Sequence, residues 1–84
     1  MWYTYILKSS KKNWHYVGSS NDLGRRLNEH NALKVASTKF YAPLELVYSK
    51  EWLTEKEARD YEKRIKRKRI EKESIIRKIE NKGS

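Results

Sequence analysis

The run from Tyr16 to His30 constrains this chain more than any other stretch. It reads Tyr16-Val17-Gly18-Ser19-Ser20-Asn21-Asp22-Leu23-Gly24-Arg25-Arg26-Leu27-Asn28-Glu29-His30 and passes from strand chemistry, through a glycine break, into an amphipathic helix. Gly18 to Asn21 is expected to end the strand, with Asn21 or Ser20 as the N-cap of the helix. Asp22, in the first turn, favours the positive end of the helix dipole. Leu23, Leu27 and His30 recur at i, i+4 and i+7 and so form one stripe. Arg26, three residues after Leu23 and four before His30, borders that stripe, whereas Arg25 and Glu29 point elsewhere. The run thus places a tyrosine, an arginine and a histidine where all three can face one pocket.

The segments on either side supply a small α+β domain. Trp2-Tyr3-Thr4-Tyr5-Ile6-Leu7 is aromatic and β-branched and predicts a strand. Period two puts Tyr3, Tyr5 and Leu7 on one face and Trp2, Thr4 and Ile6 on the other, so both faces are expected to be covered. A polar turn at Ser9 to Asn13 joins it to a second strand, Trp14 to Gly18, as a hairpin. Asn31 to Ala42 reads as a loop with at most one extra helical turn, and Pro43 closes it. Leu44 to Lys50 is a third strand. Thr54-Glu55-Lys56-Glu57 has the form of a capping box, opening a helix that carries Ala58, Tyr61 and Ile65 on one face. Glu62 shares that face, where a carboxylate is costly unless paired. A break near Arg67 to Arg69 and a last helix through Ile70, Ile75, Ile76 and Ile79 come next, with fraying expected from Asn81 to Ser84.

Eighty-four residues are expected to form one domain, spanning 1–84. Without cysteine, neither disulfides nor thiolate metal sites can staple the fold. No apolar run approaches the roughly 20 residues a membrane helix needs, and no signal-peptide h-region is seen. The expectation is a soluble, cytoplasmic protein with no membrane partner. Lys and Arg exceed Asp and Glu enough to leave a net charge of +9, a field that attracts polyanions. Nucleic acid is the first candidate, and an anionic membrane surface or an acidic protein the second.

Together these residues resemble the GIY-YIG nuclease superfamily. Tyr3-Thr4-Tyr5 stands where such proteins have Gly-Ile-Tyr, and Tyr16-Val17-Gly18 stands for Tyr-Ile-Gly. The match continues through Ser19, Asn21-Asp22-Leu23, Arg25-Arg26-Leu27 and Glu29-His30-Asn31. It resumes at Glu57-Ala58, Glu62 and Ile65-Lys66. Coverage of nearly the whole chain is similar to that of small single-domain bacterial members related to the nuclease domain of the excision-repair enzyme. The resemblance implies a three-stranded antiparallel sheet flanked by helices and an active site of Tyr5, Tyr16, Arg26, His30 and Glu62. It also implies one divalent metal, Mg²⁺ or Mn²⁺, held by Glu62. Two features depart from the pattern: Tyr3-Thr4 replaces Gly-Ile, and no further histidine follows His30, so any family role for one there is absent or passed to Lys39.

The residues suit these tasks. Magnesium commonly takes one or two protein carboxylates and completes its shell with water and substrate oxygens, so Glu62 alone suffices. The competing use of Glu62 is an i, i+4 salt bridge to Lys66. Arg26 can hold a phosphate oxygen in a two-pronged hydrogen bond. Tyr5 is the general base or orients the attacking water, although a phenolate at neutral pH costs roughly 4 kcal/mol unless cations lower it. Tyr16 is a hydrogen-bonding partner beside the metal. His30 is a proton shuttle or a buried structural residue. His15 alternates to the opposite face from Tyr16 and reads as structural. Lys63, Arg64, Lys66, Arg67, Lys68 and Arg69, with Lys39, form a phosphate-contacting surface that sets affinity but not sequence preference.

The expectation is therefore a metal-dependent DNA endonuclease of low sequence specificity; the family resemblance implies that it leaves 5′-phosphate and 3′-hydroxyl ends. DNA repair or recombination is its implied setting, on substrates such as branched or damaged DNA. Substrate choice rests on DNA shape or a protein partner. The alternative is a non-catalytic or RNA-directed nucleic-acid-binding module.

Overall fold

A computed structural model describes residues 1–82 of the chain. Three strands, β1 (Trp2–Ser9), β2 (His15–Ser20) and β3 (Leu44–Trp52), form one antiparallel sheet in the order β2-β1-β3. Three helices accompany it: α1 (Leu23–Asn31), α2 (Glu55–Arg67) and α3 (Arg69–Lys82). This is the expected three-stranded, helix-flanked α+β architecture.

Period two in β1 sorts its side chains onto two cores. Tyr5 and Leu7 join Leu44, with Trp14, Tyr16, Leu23, Leu27 and Tyr41 packed around them, which places α1 on this face. Ile6 joins Val17 and Ile65 on the other face, with Val47, Tyr48, Tyr61 and Ile75 around them, beneath α2 and α3. A bulge opposite Ile6/Leu7 lets β3 serve both: Tyr48 faces Ile6, Leu46 faces Leu7, and Val47 is the extra residue. Thr4 is fully buried on the α2 face. It is satisfied there because its Oγ1 donates to the Ala58 carbonyl at 2.8 Å and accepts from Trp52 Nε1 at 3.1 Å.

Several boundaries differ from the sequence reading. β2 does not stop at Gly18 but runs on to Ser20, paired through Tyr5↔Gly18, Thr4↔Ser19 and Tyr3↔Ser20. Gly18 serves close approach rather than strand breaking. A Cβ there would lie 2.6 Å from the Tyr5 hydroxyl oxygen and 2.7 Å from its Cζ, so the ring crosses directly over the glycine. The N-cap of α1 is Asp22, not Asn21 or Ser20. Its Oδ1 accepts from the Arg25 amide at 3.0 Å, while Ser20 Oγ accepts from the Asp22 amide, also at 3.0 Å. The capping box of α2 forms, with Thr54 Oγ1 accepting from the Glu57 amide at 3.2 Å. The Glu57 carboxylate returns to the Thr54 hydroxyl, at 3.0 Å, rather than to its amide. β3 extends two residues past Lys50, and the break between α2 and α3 falls at Lys68. Asn81 and Lys82 continue α3, where fraying was expected; Gly83 and Ser84 lie outside the described residues.

The end of α1 positions the loop that leads to β3. The Leu33 amide donates to the His30 carbonyl and the Lys34 amide to the Glu29 carbonyl, with Leu33 at φ 63°. This Schellman motif turns the chain sharply back after His30. The loop then folds over the sheet, pinned by Tyr41 stacked on Trp14 at 3.8 Å and by Ser9 Oγ donating to the Tyr41 carbonyl at 2.6 Å. Asn31 closes its far end, bonding both the amide and the carbonyl of Leu44.

Candidate active site

Four of the anticipated site residues meet on the α1 face. Tyr5 Oη lies 3.2 Å from His30 Nε2, and both residues are fully buried or nearly so. Arg26, one turn before His30, brings its guanidinium close enough to the same Tyr5 hydroxyl to lower its pKa. Tyr16 completes the cluster, its ring centroid 5.0 Å from that of His30 and 6.3 Å from that of Tyr5. Strand period two delivers the tyrosines and the helical i, i+4 relation delivers Arg26 and His30. Arg26 also approaches Glu29 at 3.8 Å, and Arg25 lies outside the cluster, pairing with Glu29 and Asn21.

Glu62 comes from the opposite face. Its α2 position carries the carboxylate to the rim of β2, where Ser19 Oγ donates to Oε1 at 2.5 Å and Lys66 Nζ to Oε2 at 2.6 Å. The side chain retains only 19 % exposure. The i, i+4 bridge to Lys66 is therefore real, yet the carboxylate is not on a solvated face. Lys66 Nζ also lies 5.7 Å from the Tyr16 ring centroid, so one cation spans the acid and the aromatic cluster. The Glu62 charge reaches Tyr5 as well and helps to raise its pKa.

Electrostatics separate the roles of the buried groups. Burial pushes Tyr5 up to about 12, outweighing the neighbouring Arg26 guanidinium that lowers it; Tyr16 and Glu62 add to the rise. Arg26 alone does not offset the burial of this phenol. A free phenolate at pH 7 would cost on the order of 7 kcal/mol. Burial, seconded by the Arg26 charge, lowers His30 from its ordinary 6.5, so the imidazole is neutral at pH 7 and can accept a proton. His15 is also lowered, first by burial and then by Lys8.

The basic run on α2 does not act as one patch. Lys66 points to Glu62; Arg64 makes a forked contact with Glu71, its NH2 at 2.8 Å; Lys63, Arg67 and Lys68 line a shallow groove with Asp60 and Arg64. The Arg69 side chain lies outside the described ones. Lys39 stands exposed in the α1–β3 loop, its Nζ 5.1 Å from the Phe40 ring centroid.

Two residues of the site receive no role from the sequence reading. Ser19 is hidden by reading Gly18 as a strand end; period two carried through from Val17 would place it on the α2 face. Thr38, fully buried with Oγ1 2.7 Å from His30 Nδ1, sits in a polar loop without periodicity and gives no signal.

Comparison with known proteins bears on the family and the fold. The family model described as the GIY-YIG catalytic domain matches residues 1–74. The chain belongs to the GIY-YIG family. That family is one of nucleases acting on DNA. The UPF0213 protein YazA of Bacillus subtilis (strain 168) is 37 % identical over 71 residues, 80 % of this chain and 71 % of that protein. A UPF0213 protein of Bacillus halodurans, solved by solution NMR, is similar with a TM-score of 0.55 and 29 % identity. That match covers 90 % of this chain and 83 % of the other. Among the described residues, no helix of this GIY-YIG protein is long and apolar enough to cross a membrane.

Proposed function

We propose that this protein is an endonuclease that hydrolyses DNA phosphodiester bonds with low sequence specificity, with DNA repair or recombination as its setting. The observation that carries this reading is the meeting of the Tyr5 hydroxyl, the His30 imidazole and the Arg26 guanidinium beside the rim that holds Glu62. Arg26 is one-third exposed and presents N–H donors to a phosphate, offsetting charge as it builds on the non-bridging oxygens. Tyr5 stays protonated and orients the attacking water, with His30 3.2 Å behind it to take a proton. Tyr16 borders both. Lys63, Arg67, Lys68 and Lys39 supply phosphate contacts that set affinity rather than sequence.

A divalent cation fits the donor set. No cluster of three or more His, Cys, Asp or Glu exists among the described residues. The suited ion is one content with a single carboxylate and its own waters, Mg²⁺ or Mn²⁺. Glu62 would hold it, its oxygens aimed by Ser19 and Lys66. When bound, such an ion supplies charge neutralisation at the phosphate and the leaving oxygen.

Incubating purified protein with linear, branched, flapped and RNA substrates in Mg²⁺ or Mn²⁺ tests the proposal. Nicking of DNA that Glu62→Gln abolishes, with DNA retention intact, is the expected result. Salt-sensitive retention without cutting under either metal overturns it.

A further inference from the structure

Resting on the role given to Tyr5 and His30 above, we propose that Thr38 is a positioning residue that holds the His30 proton on Nδ1. Nε2 is thereby the acceptor for the Tyr5 hydroxyl proton. Hydrogen-bond polarity assigns these roles. Thr38 Oγ1 stands 3.4 Å from the Val35 carbonyl, within the turn whose Thr38 and Lys39 amides also donate to that oxygen. A carbonyl only accepts, and with the threonine proton given to it the hydroxyl turns a lone pair to His30 Nδ1 at 2.7 Å. Nδ1 must then carry hydrogen. In a neutral imidazole, Nε2 is bare, and it faces Tyr5 Oη at 3.2 Å. Arg26, a donor only, has nothing to accept the Tyr5 proton with. Every bond from Tyr5 through His30 and Thr38 to the Val35 carbonyl then runs in one direction.

The opposite tautomer breaks this order. Nε2–H and the guanidinium would both point at the Tyr5 oxygen, leaving the phenol proton without the acceptor at 3.2 Å. Thr38 would have to turn its proton from Val35 to Nδ1. The loop is held in place to enforce the first polarity, by the Schellman turn after His30 and by the Tyr41 stack on Trp14.

The chemical consequence concerns a phenol that burial keeps from ionising alone. As the water oxygen bonds to phosphorus, its proton passes to Tyr5 Oη while the Tyr5 proton passes to His30 Nε2. The P–O3′ bond breaks, and the 3′ oxygen takes a proton from solvent. His30 returns its extra proton to solvent, so the sum is hydrolysis. No free phenolate forms. Thr38 touches none of the reacting atoms and acts through His30 alone.

Long-range ¹H–¹⁵N correlation spectra of the imidazole at pH 7.5, in a His15→Asn background, read the tautomer without substrate. The expected result is hydrogen on Nδ1 in the protein and in Thr38→Ser. Thr38→Val removes the acceptor and is expected to move the proton to Nε2. Nicking should fall at least about tenfold in Thr38→Val and recover in Thr38→Ser, with DNA retention equal in all three. Hydrogen on Nε2 in the unaltered Thr38 protein overturns the proposal, as does a Thr38→Val protein with unchanged tautomer and turnover. If Thr38→Val does not fold, the spectrum of the Thr38 protein still decides. Absence of nicking altogether would defeat the nuclease reading and leave this measurement standing.

Discussion

The two faces of the sheet bury comparable side chains on opposite terms. The α2 face closes Ile6, Val17, Ala58 and Ile65 at 0–2 % exposure, and its buried Thr4 is tied to a helix carbonyl. The α1 face buries Tyr5, His30 and Thr38 just as deeply, but as a chain of hydroxyls and an imidazole. Apolar contact gives the first face its stability. On the second, burial holds a phenol protonated and an imidazole neutral. Glu62 belongs to the stable face yet stands at its rim, where Lys66 spans to Tyr16. A small nuclease-like domain can therefore separate cohesion from chemistry across a single strand, because alternate residues of β1 serve each.

The sharpest break of that comparison is one substitution on each side of the sheet. Ile65→Ala empties the centre of the α2 core and should cost about 2–5 kcal/mol, lowering the melting temperature by at least about 10 °C in a chain of this length. Tyr5→Phe on the other face keeps the ring and leaves one imidazole nitrogen without its donor, at a cost of about 1–3 kcal/mol. Nicking should nevertheless fall about 10²-fold or more. Thermal melts and nicking rates on the same two proteins check this. Equal losses of stability and activity in both would show that the faces are not divided as described.

Gly18→Ala strikes the boundary between the faces. The added methyl meets Tyr5 Oη and Cζ at 2.6 and 2.7 Å, too close for any real Cβ. The ring must swing away, at about 1–3 kcal/mol of overpacking, and the Tyr5–His30 bond goes with it. Urea unfolding should show the loss with an unchanged slope, and nicking should approach that of Tyr5→Phe. Gly24→Ala is the control, since its nearest neighbour would be Asp22 Oδ1 at 3.8 Å.

A gentler probe is pH. His30 is held below its ordinary 6.5 by burial and then by Arg26, against Glu29; Tyr5, Tyr16 and Thr38 complete its surroundings. The unfolded chain therefore binds the proton more readily than the folded one. Its contribution is fully present above about 6.5 and is lost as pH falls through the folded value. Stability measured by urea from pH 7.5 down to 5 should decline, and His30→Asn should flatten that decline. His15, also lowered by burial, adds a slope of the same sign that His15→Asn removes.

The legible part of this molecule is the periodic part. Alternation in Trp2 to Leu7 revealed the two faces, the Leu23, Leu27 and His30 stripe separated Arg26 from Arg25, and the capping box opened α2. The illegible part depends on groups that meet without a period. Ser19 reaches Glu62 because β2 continues past a glycine whose purpose is to admit a ring from the neighbouring strand. Thr38 reaches His30 because a helix end and a stacked Tyr41 fold a polar loop inward. The rise of the Tyr5 pKa came from burial that composition could not weigh against Arg26. Lys66 was legible as the i, i+4 partner of Glu62, but nothing in the pattern shows that the same ammonium lies over the Tyr16 ring.

The smallest expected effect tests the turn that makes this inward fold. Leu33 occupies the left-handed position of the Schellman motif, where an L side chain is strained by about 1–2 kcal/mol relative to glycine. It is 56 % exposed, so little apolar burial is lost by removing it. Glycine relieves the strain but adds chain entropy to the unfolded state. The balance for Leu33→Gly is a gain of up to about 1 kcal/mol, read by urea unfolding. Activity should not rise with it, because the loop is already pinned by Tyr41 and Asn31. A variant more stable yet slower would mean instead that release of this turn, and with it of Thr38 from His30, belongs to turnover.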